Sequence, residues 1–184
     1  MKSIHKLNKK KLPTLGCCHG GGHNNKMWTI RISLDLYGDN FSPKVFLGQL
    51  PNSFIVFNSN EATDLKTPKT ESYGFGSLSI LAPIKIGIPG ELDKYENWYI
   101  EFIEKYKDLM DKSGVTEINL FINVFHSSGQ CNWEVFSRDG LRKIGQHGIA
   151  IPISFYSLTD NQIIDMLTDA KYSGDKIKEF IEQG

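Results

Sequence analysis

Strict alternation of apolar and polar residues between Trp28 and Leu36 constrains the fold of this 184-residue chain more than any other feature. Every second side chain in that stretch is apolar, and those between are polar or charged. A period of two is typical of a strand that turns one face to a core and the other to a more polar environment. The sequence therefore predicts a half-buried strand at the start of the folded part of the chain.

Further strands are predicted from short apolar runs. They fall within residues 53–58, 72–83 and 149–157. Pro152 favours an edge position for the last of these, because proline has no N–H for the ladder. Residues 116–126 are apolar on both faces, which predicts a central strand that is covered on both sides.

Helices are predicted from periodicity and from end signals. Residues 94–112 repeat aromatic and aliphatic side chains at spacings of three and four, and Gly114 follows in the usual C-terminal position. Ser42 and Ser137 are predicted N-caps of two short helices. The tail is predicted to hold one or two helices, broken near residues 173–174. This order of elements predicts an α+β fold: a ferredoxin-like sandwich with a mainly antiparallel sheet, helices packed on one face, and additional C-terminal helices.

The first 26 residues differ from the rest in composition. They hold six of the 21 basic residues and no acids, without periodicity, which predicts a disordered or loosely attached basic arm over residues 1–26. Residues 27–184 are predicted to form a single α+β domain, of which residues 158–184 are a helical extension. That body carries 15 basic against 21 acidic side chains, so nucleic-acid binding is not expected.

Cysteine usage and hydropathy indicate the compartment. The three cysteines, two of them adjacent, do not resemble the framework of a secreted disulfide-rich domain. Apolar stretches are strand-sized, so no membrane span is expected. These features favour a cytoplasmic protein with reduced thiols, and we expect no cofactor.

Two separated stretches carry a family resemblance: "LDLYGDNFSPKVFLGQLP" at residues 34–51 and "FINVFHSSGQCNWEVFSRDGLRKIGQHGIAIPISFYS" at residues 121–157. In order and spacing they resemble the uncharacterised bacterial family called domain of unknown function 4279, over about residues 28–157. The chain departs from that family in its N-terminal arm, its longer middle loop and its C-terminal helices. The resemblance brings no catalytic residues. Some members lie in toxin–immunity neighbourhoods, which implies a role in neutralising a partner protein.

The stretch "GCCHGGGH" at residues 16–23 holds four candidate metal ligands, Cys17, Cys18, His19 and His23. Such ligands suit Zn²⁺ or Cu⁺. Adjacent cysteines are nevertheless a poor chelate for tetrahedral zinc, and no second ligand pair is close in sequence. We expect a tail with incidental ligands and no bound metal, and metal binding is the alternative.

Two turns hold the candidate partner- or ligand-binding residues of the body. Asp39 and Asn40 follow the first strand, where turn chemistry accounts for them and a ligand contact is the alternative. His126, Gln130 and Asn132 lie where the central strand ends and a loop begins.

Cys131 and His126 are the candidate nucleophile and base. Catalysis would also need an orienting acid and an oxyanion site, and the sequence identifies neither. We therefore expect a non-catalytic protein-binding domain, an immunity-type inhibitor that neutralises a partner bacterial toxin. A small-molecule-binding or regulatory domain is the alternative, and an enzyme that uses Cys131 and His126 is the third hypothesis.

Overall fold

Five strands and five helices lie in the part of the chain that the computed structural model describes, residues 27–51, 54–65, 71–88, 92–127 and 135–183. In chain order they are β1 (Trp28–Gly38), α1 (Pro43–Leu47), β2 (Ile55–Asn60), β3 (Gly76–Leu81), α2 (Leu92–Lys112), β4 (Glu117–His126), α3 (Arg138–Gln146), β5 (Ile153–Ser157), α4 (Asp160–Asp169) and α5 (Gly174–Gln183). The predicted arm at residues 1–26 lies outside the described residues.

The strands form one open mixed sheet in the order β2-β3-β1-β4-β5. β1 pairs antiparallel with β3 and with β4, β2 pairs antiparallel with β3, and β5 pairs parallel with β4. The predicted α+β class with a mainly antiparallel sheet is therefore confirmed. β4 has a strand on each side, and β5 is an edge strand, as the sequence predicts.

β5 is shorter than the predicted strand at residues 149–157. It begins at Ile153, and before it Ala150 makes an isolated bridge to Asn119. Pro152 accounts for the late start. Its carbonyl accepts the N–H of Ile122 at 2.9 Å, but its nitrogen has no hydrogen to donate to β4.

The even-numbered side chains of β1, from Trp28 to Leu36, form one face of the sheet and are at most 7 % exposed. The aromatic stripe of α2 packs against them, with Tyr95, Tyr99 and Phe102 buried in the same core. Full burial of such a side chain stabilises the fold by roughly 1.5–3 kcal/mol relative to exposure. We call this helix-covered side the first face.

Ser42 and Ser137 cap helices as predicted. The Ser42 hydroxyl accepts the N–H of Val45 at 3.4 Å, and the Ser137 hydroxyl accepts the N–H of Gly140 at 3.0 Å. Glu96 of α2 is 4 % exposed and accepts from both the N–H and the hydroxyl of Ser137 at 2.9 Å. This carboxylate therefore fixes the start of α3 against α2.

Two tyrosine hydroxyls close a gap beside β1, which pairs with β3 over its C-terminal half. The Tyr95 hydroxyl accepts the N–H of Ile32 at 3.2 Å and donates to the C=O of Lys85 at 3.2 Å. The Tyr99 hydroxyl accepts the N–H of Ala82 at 3.1 Å and donates to the C=O of Ile32. Side chains thus satisfy backbone groups that a continuous ladder would otherwise pair.

Three glycines allow the turn after β1 to pack closely. A Cβ on Gly38 would lie 2.0 Å from the carbonyl oxygen of Gly114, and one on Gly76 would lie 1.9 Å from that of Phe41. Gly114 has a φ of 87°, in the left-handed region that favours glycine. The turn that contains Asp39 is therefore held against the loop after α2.

The C-terminal helices α4 and α5 pack on the opposite side of the sheet, which we call the second face. Gly87 bridges to Ile30, and a Cβ on Gly87 would meet Tyr95 of the first face. Gly87 is directed toward the first face, and its neighbours Ile86 and Ile88 lie toward the second face. There they form an apolar cluster with Met27, Ile163, Leu167 and Phe180. The tail forms two helices broken where the sequence predicts.

Candidate functional site

Beyond the apolar cluster beneath α4 and α5, the second face is mostly polar, and three of its side chains, Ser33, Asp35 and Asn123, are at most 9 % exposed. Its side chains come from β1 and β4 and pair across the two strands: Arg31 with Asn123, Ser33 with Phe121, Asp35 with Asn119, and Tyr37 with Glu117. A helix cannot pack on such a face without burying polar groups that need partners. This composition favours binding over core packing.

An open cleft of about 410 Å³ lies at one end of this face, where β1 ends and β4 begins. We call it the acidic cleft. Close packing at Gly38, Gly76 and Gly114 holds the turn that carries Asp39. The pairing of Tyr37 with Glu117 brings a second carboxylate to the same place. It is lined by Tyr37, Gly38, Asp39, Phe75, Thr116, Glu117, Asn119, Phe121 and Pro152.

Two exposed carboxylates, those of Asp39 and Glu117, give the cleft its charge. No lysine, arginine or histidine is among the lining residues, and neither carboxylate has a basic partner within 4 Å in the described ranges. The Asn119 amide donates to the Glu117 carboxylate at 2.7 Å, which orients that carboxylate. Burial raises the pKa of Tyr37, and the negative charges of Asp35 and Glu117 raise it further. The cleft therefore carries a negative potential.

Aromatic rings form much of the remaining wall. Tyr37 and Phe75 meet edge to face with ring centroids 6.2 Å apart, and Tyr73 meets Phe75 in the same way at 6.4 Å. Ring faces attract cations through their quadrupole, and carboxylates add Coulomb attraction. A cleft that combines both groups fits an ammonium or a guanidinium ion.

A buried carboxylate, Asp35, lies further along the same face. It is 9 % exposed and accepts from the Ser79 hydroxyl at 2.5 Å. Burial raises the pKa of Asp35, and hydrogen bonds from Ser79 and Ser33 offset part of that rise. The ionised carboxylate therefore costs the folded protein stability relative to the unfolded chain.

We expect Asp35→Asn to be more stable than the wild-type protein at neutral pH, and the difference to shrink in acid. Folding raises the pKa of Asp35, so the folded protein holds this proton more tightly than the unfolded chain does. The resulting contribution to stability is fully present below the ordinary pKa of 3.8 and is lost as the pH rises through the pKa of the folded state. Asparagine has no charge to bury and keeps an oxygen that can accept from Ser79.

Urea denaturation between about pH 3 and 8 measures this difference. Asp108→Asn, at an exposed position of α2, is the control for loss of a surface carboxylate and should leave the stability at neutral pH nearly unchanged. A wild-type protein more stable than Asp35→Asn at neutral pH would contradict the prediction.

Arg31 lies at the other end of this polar part of the second face. Its guanidinium carbon is 5.3 Å from the ring centroid of Phe57 and 5.5 Å from that of Phe125. Within the described part of the chain no acidic side chain forms an ion pair with it. The strand from Arg31 to Tyr37 spans about 20 Å at about 3.3 Å per residue. The face therefore has a negative end and a positive end.

The structure separates the binding residues that the sequence nominates. Asp39 lines the acidic cleft, and Asn40 is exposed in the same turn. His126 pairs with Trp28 at the far end of β4, about 30 Å from that turn at about 3.3 Å per residue. Asp39 and His126 therefore cannot contact one small ligand together.

Other nominated residues lie outside the described residues: Cys17, Cys18, His19, His23, Gln130, Cys131 and Asn132. Within the ranges that are described, no group of three or more histidine, cysteine, aspartate or glutamate side chains could hold a metal ion. No helix in those ranges is long and apolar enough to cross a membrane.

The sequence does not nominate Tyr37, Phe75 or Glu117. Tyr37 occupies a polar-face position of the first alternating strand, which is a usable signal. Its pairing with Glu117 depends on strand register, and Phe75 reaches the cleft from a segment before β3.

Comparisons of the chain with protein-family models, with curated proteins and with solved structures each found no match. The family resemblance of residues 28–157 stays a prediction.

Proposed function

We propose that this chain is a non-catalytic protein-binding domain whose acidic cleft receives a lysine or arginine side chain of a partner protein. The observation that carries the proposal is the combination, in one open cleft, of aromatic rings with two carboxylates, Asp39 and Glu117, that pair with no basic residue of the described ranges. Charged residues arranged in this way contribute specificity and speed of association.

The partner we propose is a bacterial toxin that the chain neutralises as an immunity-type inhibitor. A mildly acidic body suits a basic target, because complementary charge steers the encounter and raises the association rate. Proteins that act on nucleic acid commonly carry basic surfaces. Occupying such a surface would block the toxin without any chemistry in the inhibitor.

The length of the polar part of the second face supports a protein partner better than a small ligand. Arg31 lies about 20 Å along β1 from the cleft, at about 3.3 Å per residue, and Phe57 beside it is 58 % exposed. Arginine and aromatic side chains are enriched among the residues that dominate protein interfaces. A partner with a basic side chain and an acidic one at matching positions can use both ends of the face.

Charge reversal in the cleft tests the proposal. The immobilised chain is used to capture a protein from the native host, and the dissociation constant of that purified protein is then measured. We expect Asp39→Lys and Glu117→Lys each to raise the dissociation constant at least about tenfold, because about 1.4 kcal/mol of lost attraction is enough. The captured protein should be toxic when expressed alone and harmless when expressed with the chain.

Glu101→Lys is the matched control, since Glu101 is an exposed acid of α2 on the first-face side. It makes the same change of net charge away from the cleft, so it should leave the dissociation constant nearly unchanged. A partner that binds Asp39→Lys and Glu117→Lys as tightly as the wild-type chain would contradict the proposal.

A small-molecule-binding or regulatory domain is the second candidate function. A cleft of about 410 Å³ falls within the range of small-ligand sites, and its charge and rings suit an organic cation. A saturable rise in melting temperature with one amine from a panel, lost in Glu117→Gln, would favour it over the protein-binding proposal.

A further inference from the structure

A second cleft, opposite in charge, lies between the segment after β3 and the turn that joins α4 to α5. It has a volume of about 270 Å³, and its lining includes Pro83, Ile84, Lys85, Lys171, Tyr172 and Lys176. We call it the basic cleft. Asp169 and Asp175 are close in sequence but are not among the lining residues. Three lysines thus line one concave site, and no carboxylate is among its described lining residues.

The fold anchors one wall of the basic cleft. The Tyr172 hydroxyl donates to the C=O of Ile86 at 2.6 Å, which fixes the ring against the sheet segment. The Lys176 ammonium lies 5.7 Å from the centroid of that ring. The N–H of Lys176 donates to the Ser173 hydroxyl at 3.3 Å, so Lys176 is held in the first turn of α5. The positive end of that helix adds to the potential of the lysines.

Lys171 occupies a backbone position that favours glycine. It has a φ of 65° in the residue that follows the C-cap of α4, where glycine is the favoured residue. Its side chain is exposed and forms no ion pair with another described residue. A lysine there costs backbone energy, and its exposed side chain can meet a ligand from solvent.

We propose that the basic cleft binds a small phosphate-bearing molecule. Lysine ammonium groups are compact donors that act on phosphate as point charges, and three of them can each reach a different phosphoryl oxygen. The volume suits one or two phosphoryl groups with a small apolar part against Ile84 and Tyr172. This site is separate from the acidic cleft and does not depend on the proposed function.

Titration calorimetry of the full chain tests the site with three probes: inorganic phosphate, pyrophosphate and adenosine monophosphate, at constant ionic strength set with KCl. We expect saturable binding of at least one probe. Binding that is strongest for pyrophosphate assigns recognition to phosphoryl groups alone, and binding that is strongest for adenosine monophosphate adds the apolar wall. Lys85→Gln should weaken the binding about tenfold, as expected for loss of one charge-assisted contact.

Lys171→Gly separates binding from folding, because its two effects have opposite signs. Glycine suits the left-handed backbone, so the variant should melt at a higher temperature than the wild type without ligand. The same variant should bind the phosphate probe about tenfold more weakly. Lys178→Gln removes an exposed charge from α5 outside the cleft and should bind like the wild type.

Three results would overturn the inference. The first is no saturable binding of any probe. The second is equal weakening in Lys178→Gln and Lys171→Gly, which would mean general charge screening. The third is binding of a single-stranded oligonucleotide that none of the small probes displaces.

Discussion

Replacing Gly38 with alanine should lower the free energy of unfolding by about 3 kcal/mol or more, since overpacking against rigid backbone exceeds the usual cost of an added methyl group. The new Cβ would lie 2.0 Å from the carbonyl oxygen of Gly114 and 3.1 Å from the Cβ of Phe41. Gly114 cannot yield easily, because its own φ of 87° and its N–H bond to the C=O of Asp111 hold it in place. Relief requires moving the turn or the end of α2.

Gly48→Ala is the matched control for this substitution. Its φ is −63°, and a Cβ there would meet no atom closer than 3.5 Å, so a change within about 1 kcal/mol is expected. Urea denaturation of both variants gives the comparison. If Gly38→Ala unfolds at the same urea concentration as Gly48→Ala, the backbone at Gly38 does not approach the carbonyl of Gly114 as closely as described.

The second large effect is expected for Tyr99→Phe. Removing its hydroxyl leaves the N–H of Ala82 and the C=O of Ile32 without partners in a buried site. Each orphaned buried group costs about 1–3 kcal/mol, so the loss in the free energy of unfolding should be about 2–4 kcal/mol. The ring still fills its space, so the loss reports the hydrogen bonds and not a cavity.

Tyr106→Phe is the control on the same helix, because its hydroxyl makes no hydrogen bond to another described residue. It should change stability by less than about 0.5 kcal/mol. A loss of that small size in Tyr99→Phe would show that the gap beside β1 needs no hydroxyl.

Alkaline pH supplies an independent readout of the same contact. Burial raises the pKa of Tyr99 well above its ordinary value of 10.0. The contribution of Tyr99 to stability is therefore fully present below pH 10.0, its ordinary pKa. That contribution is lost as the pH rises toward the pKa of Tyr99 in the folded state, because Tyr99 ionises first in the unfolded chain. Tyr99→Phe should consequently lose less stability than the wild type above about pH 10.

The elements were predictable because local patterns specify them. Alternation predicts β1, periodicity predicts α2, and Ser42 and Ser137 cap the helices that follow them. Each of these signals lies within a few residues of the structure that it specifies. The α+β class follows from their order.

The register and the second face could not be predicted, because they depend on contacts between distant segments. The sequence predicts cover on both faces of β4, yet Phe125 is buried whereas Phe121 lines the acidic cleft. Phe125 is stacked on Tyr156 of β5 with ring centroids 5.2 Å apart, and the Arg31 guanidinium lies over its ring, so its burial depends on strand pairing. The sequence offers a ligand contact by Asp39 only as the alternative to a role in the turn, and the second carboxylate of the cleft follows only from the β1–β4 pairing.

The pairing of β1 with β4 also has a consequence for synthesis on the ribosome. The hydrogen bond from the Ser127 hydroxyl to the C=O of Met27 joins positions 100 residues apart, at the end where β1 starts and β4 ends. At about 5–20 residues per second, about 5–20 s pass between the synthesis of β1 and the completion of its neighbour β4. During that interval β1 has no β4 to cover its edge, and exposed strand edges are where nascent chains aggregate or recruit chaperones. The central position of the first strand therefore makes the folding of this chain a late event in its translation.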